Sequence, residues 1–138
     1  YATGEGAPQD TVEAVALFRQ AAEQGYAVAQ SNLGVMYETG EGVPQDAVEA
    51  AAWYRQAAEQ GHAVAQVNLG VLYASGEGVP QDDVEAYKWF SLATNYADVS
   101  QREGLAERRD LAASRLTPEQ LAEGQKRVRE WFATHSRE

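Results

Sequence analysis

Residues 27–62, AVAQSNLGVMYETGEGVPQDAVEAAAWYRQAAEQGH, begin again at Ala63 as AVAQVNLGVLYASGEGVPQDDVEAYKWFSLATNYAD, with 21 identities in 36 positions. A half-copy lies upstream, where residues 4–26 match residues 40–62 at 17 of 23 positions. A fixed period of this size restricts the chain to stacked supersecondary units, each unable to bury its apolar face alone. Tyr1 corresponds to Tyr37 and Tyr73, so the sequence opens inside a unit.

Within each unit the punctuation is helical. Asp46 followed by Glu49, and Asp82 followed by Glu85, read as N-caps with an acid three residues on. Asp10 and Glu13 repeat the signal, which predicts a helix over 10–24 that ends at Gly25. These are the second (B) helices, and Trp53, Tyr54, Ala57 and Ala58 give the middle one its apolar stripe. The first (A) helices are predicted over 27–38 and 63–74, with Ala29, Leu33, Met36, Tyr37 and Ala65, Leu69, Leu72, Tyr73 facing inward. Gly34 and Gly70 sit mid-helix at a cost of roughly 1 kcal/mol each against alanine. Meeting that cost at the same place in both units points to a partner helix passing too close for a Cβ. Gly-Glu-Gly-Val-Pro-Gln-Asp joins A to B as a rigid turn, because proline forces its predecessor into an extended conformation.

The motif LGxxYxxGxGVPQD, followed by AxxWY/FxxAAxxG at a period of 36, resembles the Sel-one-like repeat family, a relative of the tetratricopeptide repeats. The resemblance covers residues 1–97. It implies an all-α solenoid of antiparallel helix pairs wound into a right-handed superhelix. The third unit drifts, with Gly70 becoming Ala106 and Tyr73 becoming Arg109, so 99–115 reads as a degenerate A helix. Thr117-Pro118-Glu119-Gln120 is a capping box with proline at the first helical position, flanked by Leu116 and Leu121. It starts a helix over about 118–133, read as a C-terminal cap with a frayed tail over 134–138. Residues 1–98 are thus assigned to repeats, one partial and two full, and residues 99–138 to the degenerate helix and the cap.

Charge narrows the partners. Residues 1–101 hold three cations against 14 acids, whereas residues 102–138 hold eight cations and seven acids, giving −10 in all. Nucleic-acid binding needs basic stripes that displace counterions, and the acidic repeats lack them. Without cysteine there is neither disulfide nor thiolate metal site, and no run of 18 apolar residues reads as a membrane span. Alanine and arginine with only two lysines, Lys88 and Lys126, suggest a GC-rich bacterial source. The reading is a soluble protein, cytoplasmic or exported, with the compartment left open.

Candidate chemistry dissolves when each residue is set against its counterpart 36 positions away. The Gly-x-Gly turns lack the third glycine and the preceding strand of a nucleotide loop. The Asp/Glu pairs recur at helix starts, where capping explains them. His62 and His135 have neither an i+4 histidine nor a cysteine. No catalytic, cofactor or metal residue is assigned, and the chain is read as non-enzymatic.

One face escapes this reassignment. Val28, Ser31, Val35 and Glu38 on the first A helix recur as Val64, Val67, Val71 and Ala74 with Ser75 on the second. By resemblance to tetratricopeptide stacking, this face lines a concave groove that is mildly apolar and acid-rimmed and suits an amphipathic helix or extended peptide. The adjacent Asn32 and Asn68 either hold the helix pair together or hydrogen-bond a peptide backbone. The resemblance implies a protein-binding adaptor or scaffold that takes a peptide or partner protein in this groove. Two alternatives stand beside it. Cysteine-rich relatives imply cell-wall or β-lactam-related ligand binding or hydrolysis, and an open N-terminal end implies self-association into a structural array.

Overall fold

The computed structural model describes residues 6–135. Among them are seven helices and no strand: α1 (Gly6–Glu23), α2 (Ala27–Thr39), α3 (Ala47–Ala58), α4 (Ala63–Ser75), α5 (Asp83–Tyr96), α6 (Val99–Ala113) and α7 (Pro118–His135). Helices α2–α3 and α4–α5 form the antiparallel pairs of the two full units. Each B helix then packs on the next A helix, α1 on α2, α3 on α4 and α5 on α6. The chain is an all-α repeat stack.

The close approach expected at the mid-helix glycines is present. A Cβ on Gly34 would lie 2.6 Å from the Tyr54 ring, and one on Gly70 would lie 2.7 Å from the Phe90 ring. Tyr54, Leu33, Leu69, Leu72, Trp89 and Leu92 are all fully buried, with alanines 50, 57, 58, 65 and 86 packed between them. Small residues thus let the helix axes approach, and the few large side chains fill what remains.

Caps follow the sequence in most places. Asp46 accepts from the N–H groups of Val48 (3.1 Å) and Glu49 (3.2 Å), and Asp82 does the same for Val84 and Glu85. The Asp46 and Asp82 N–H groups donate back to Tyr37 and Tyr73 carbonyls at 2.9 Å, which pins the connecting turn to its own A helix. At α7 the capping box closes in both directions, Thr117 N–H to Gln120 at 2.9 Å and Gln120 N–H to Thr117 at 3.1 Å. Asp10 departs from the expectation, since α1 begins at Gly6 and runs straight through it. Tyr1, the residue that would pin this first turn, lies outside the described residues. Pro8 sits in the first helical turn, where its missing N–H costs nothing.

Successive units are stitched by repeated polar contacts. Gln30 donates to the Ala22 carbonyl (3.1 Å) and Gln66 to the Ala58 carbonyl (3.0 Å), so a buried amide ties each A helix to the end of the preceding B helix. Arg19 donates to the Tyr37 hydroxyl and Arg55 to the Tyr73 hydroxyl, again one unit apart. The turn glycines complete the joint. Gly78, in the left-handed region at φ +75°, lies so close to α3 that a Cβ would meet the Ala47 carbonyl oxygen at 2.3 Å. Gly42 meets the Thr11 carbonyl of α1 in the same way, at 2.8 Å.

The last helix closes on α5. Gly124 lets the Tyr87 ring approach, with a Cβ there placed 2.8 Å from it. Arg127 bridges Glu85 (2.6 Å) and Glu123 (2.9 Å), and Trp131 reaches the C-cap of α3 by donating to Glu59 at 3.1 Å. The Trp131 ring also meets Tyr96 edge-on at 5.7 Å. His135, expected in a frayed tail, stacks on Trp131 at 3.8 Å and lies 3.3 Å from Glu59.

Candidate functional site

The apolar face of the A helices splits into two halves with different surroundings. On α4, Val64 is 53% exposed, while Val67 and Val71 are half-buried and pack on the core. Helix α6 stands opposite, and between the two lies an open groove of about 750 Å³ lined by Val64, Val67 and Asn68 on one side and by Leu105, Arg108 and Leu111 on the other. A smaller hollow of about 250 Å³ continues it past Val71, Ala74 and Ser75 on α4 to Arg115 in the turn after α6, sharing Arg108 and Leu111 with the first. Six of the eleven residues singled out from the sequence, Val64, Val67, Asn68, Val71, Ala74 and Ser75, therefore line one continuous groove.

The α2 half stands apart from it. Val28 and Val35 are exposed but border neither hollow. Ser31 is buried at 3% exposure, where Val67 one unit later is half-buried. Glu38 is half-buried and accepts a hydrogen bond from the Tyr54 hydroxyl at 2.6 Å, a link between α2 and α3. Burial, followed by this carboxylate, raises the Tyr54 phenol far above its ordinary value, and Asn68 beside it acts in the opposite sense. The residue 36 positions before Tyr54 is Phe18, which has no hydroxyl to offer Asn32.

Helix α6 is the wall the sequence did not point to. Its divergence from the repeat, with Arg109 at the Tyr73 position, hides it from a comparison of units. It also alters the rim. The groove expected to be acid-rimmed carries Arg108 and Arg115 on this wall, beside a single acid, Glu107.

The described residues offer little to chemistry. No group of three or more histidine, cysteine, aspartate or glutamate side chains is placed to hold a metal ion among them. Glu85 is taken up by Lys88 (3.2 Å) and Arg127, and hydrogen bonds to Arg127 keep Glu123 below the usual carboxylate range. Among the described residues, no helix is long and apolar enough to cross a membrane.

His62 precedes α4 with no side-chain capping bond, and burial lowers its pKa from the ordinary 6.5. The folded state thus favours the neutral ring. As pH falls the unfolded chain takes up this proton first, so stability is full above about 6.5 and declines below it. Urea unfolding followed from pH 7 to about 5 is expected to show this decline. His62→Tyr, which installs the residue found at position 26, should flatten it relative to the native chain. An identical slope in both would remove His62 as its source.

Comparison with known proteins agrees with this architecture. The Sel1 repeat profile matches three stretches, residues 1–26, 27–62 and 63–95. Among solved structures, a protective antigen of uropathogenic Escherichia coli strains displaying an SLR fold superposes with a TM-score of 0.81 at 38% identity, over 90% of this chain and 26% of that one. A Sel1 repeat protein from Oxalobacter formigenes superposes with a TM-score of 0.59 at 44% identity, over 61% of this chain and 34% of that one. The chain therefore spans about a quarter and a third of these two relatives. No curated protein matches the chain.

Proposed function

The chain belongs to the Sel1 repeat family, and from that premise we propose that it is a non-enzymatic scaffold holding a peptide or partner protein in the groove between α4 and α6. Repeats of this family generally serve protein–protein interaction. The observation that carries the reading is the continuity of the two hollows, which present Val64 and the 58%-exposed Leu111 beside half-buried valines. Exposed apolar side chains in a concave, polar-rimmed surface favour a partner over bulk water.

Val64 and Leu111 are the positions that test binding with least disturbance to the fold. Val67 and Val71 pack on the core, so an acid there would also unfold the chain. Peptides selected on the immobilised native chain from a displayed random library are expected to lose at least roughly tenfold in affinity, about 1.4 kcal/mol, on the Val64→Asp/Leu111→Asp variant. The helical circular dichroism signal should stay unchanged. Selected peptides that bind the variant as tightly as the native chain would place recognition elsewhere.

A further inference from the structure

The cations of this chain are mostly used within it. Arg127 bridges Glu85 and Glu123, Lys88 pairs with Glu85, Lys126 with Glu130 and Arg109 with Asp110. Arg19 and Arg55 donate to tyrosine hydroxyls, and Arg102 donates to the Ala97 carbonyl. Among the described residues this leaves the side chains of Arg108, Arg115 and Arg129 with neither an ion pair nor a hydrogen bond, and Arg129 lies on α7, away from the groove. The two others both line the groove. Arg108 lies on α6 and Arg115 in the turn that closes it, where its N–H donates to the Ala112 carbonyl, with Leu111 between them in the chain.

We propose, building on the groove reading above, that the occupant is an acidic amphipathic helix of another protein. Its two carboxylates, seven positions apart, pair with Arg108 and Arg115. The apolar side chains between them, three and four positions after the first acid, lie on Leu111, Val67 and Val71. A helix laid along the groove carries acids seven positions apart on one face, which lets it address Arg108 on the wall and Arg115 at the wall's end while its apolar side chains lie between them. Guanidinium forks match carboxylates in a bidentate geometry, which fixes the register of the docked helix as well as attracting it. The acidity of the rest of the chain sharpens the selection. At a net charge of −10, the general field opposes any acidic ligand. A preference for one must come from these two side chains.

Three side-chain-stapled helical peptides test this by fluorescence anisotropy at low salt. They are identical apart from two positions seven apart, which are Glu in one, Gln in the second and Lys in the third, with leucines between. The native chain is expected to bind the Glu peptide roughly tenfold more tightly than the Gln peptide. The Arg108→Glu/Arg115→Glu variant should reverse the order and prefer the Lys peptide. Glu and Gln peptides that bind the native chain equally, a Glu preference that survives the charge reversal, or no binding of any peptide would each overturn the inference. The Val64→Asp/Leu111→Asp variant separates this from the underlying reading. If it weakens all three peptides while the native chain shows no charge preference, the groove stands and the acidic partner falls. A Glu preference undiminished by that variant removes the groove itself.

Discussion

Gly78→Ala is expected to lower the thermal midpoint by roughly 10 °C, corresponding to about 3 kcal/mol for a domain of this size. Two costs combine. The residue sits at φ +75°, where an added side chain costs roughly 1–2 kcal/mol. The new Cβ would also fall 2.3 Å from the Ala47 carbonyl oxygen, a backbone atom of α3 that moves only if the joint between units opens. Such overpacking costs roughly 1–3 kcal/mol more. Gly25→Ala isolates the first cost, because Gly25 has a similar φ of +98° with nothing within 4 Å of its Cβ position. It should lose only roughly 1–2 kcal/mol. Differential scanning calorimetry on the two variants decides the matter, and equal losses would show that the contact with α3 is not a rigid part of the stack.

Trp131→Ala carries the other large effect. This residue is 7% exposed and gathers the end of the stack, touching Tyr96 and Phe132 by ring edges, His135 by stacking and Glu59, the C-cap of α3, by hydrogen bond. Removing a buried indole costs roughly 3–5 kcal/mol. Urea unfolding is expected to report a loss in that range, with Trp131→Phe losing only about 1 kcal/mol because most of the apolar contact remains. A loss below about 1 kcal/mol for the alanine variant would mean that α7 is not anchored to the core through this residue.

Repetition decided what could be foreseen. The caps and close approaches that recur 36 positions on were legible: Asp46 and Asp82 bond as expected, and Gly34 and Gly70 receive aromatic rings. The capping box at Thr117 was legible without a repeat, since all of its bonds are local. What escaped depends on contacts between distant segments. The start of α1, at Gly6 and not at Asp10, escaped as well. Helix α6 escaped because its sequence has left the register of the repeat, so nothing in the order of residues announces that Arg108 and Arg115 face α4 across a hollow. The bond from Glu38 to Tyr54 escaped too, because a carboxylate on an A helix reads as solvated until the partner helix is in place.

The joints between units repeat as faithfully as the units do, and this bears on how such a chain grows. Arg55 meets Tyr73 as Arg19 meets Tyr37, and Gly78 sits on Ala47 as Gly42 sits on Thr11. An in-frame duplication of residues 27–62 would therefore present each copy with neighbours it already fits, and each would add a nearly constant increment of stability. The far end does not propagate in this way, because Ser91 and Arg109 occupy the places that the next arginine and tyrosine would need. A gene encoding this fold can lengthen from the middle while its terminus stays fixed, so copy number can drift without a new interface having to be invented.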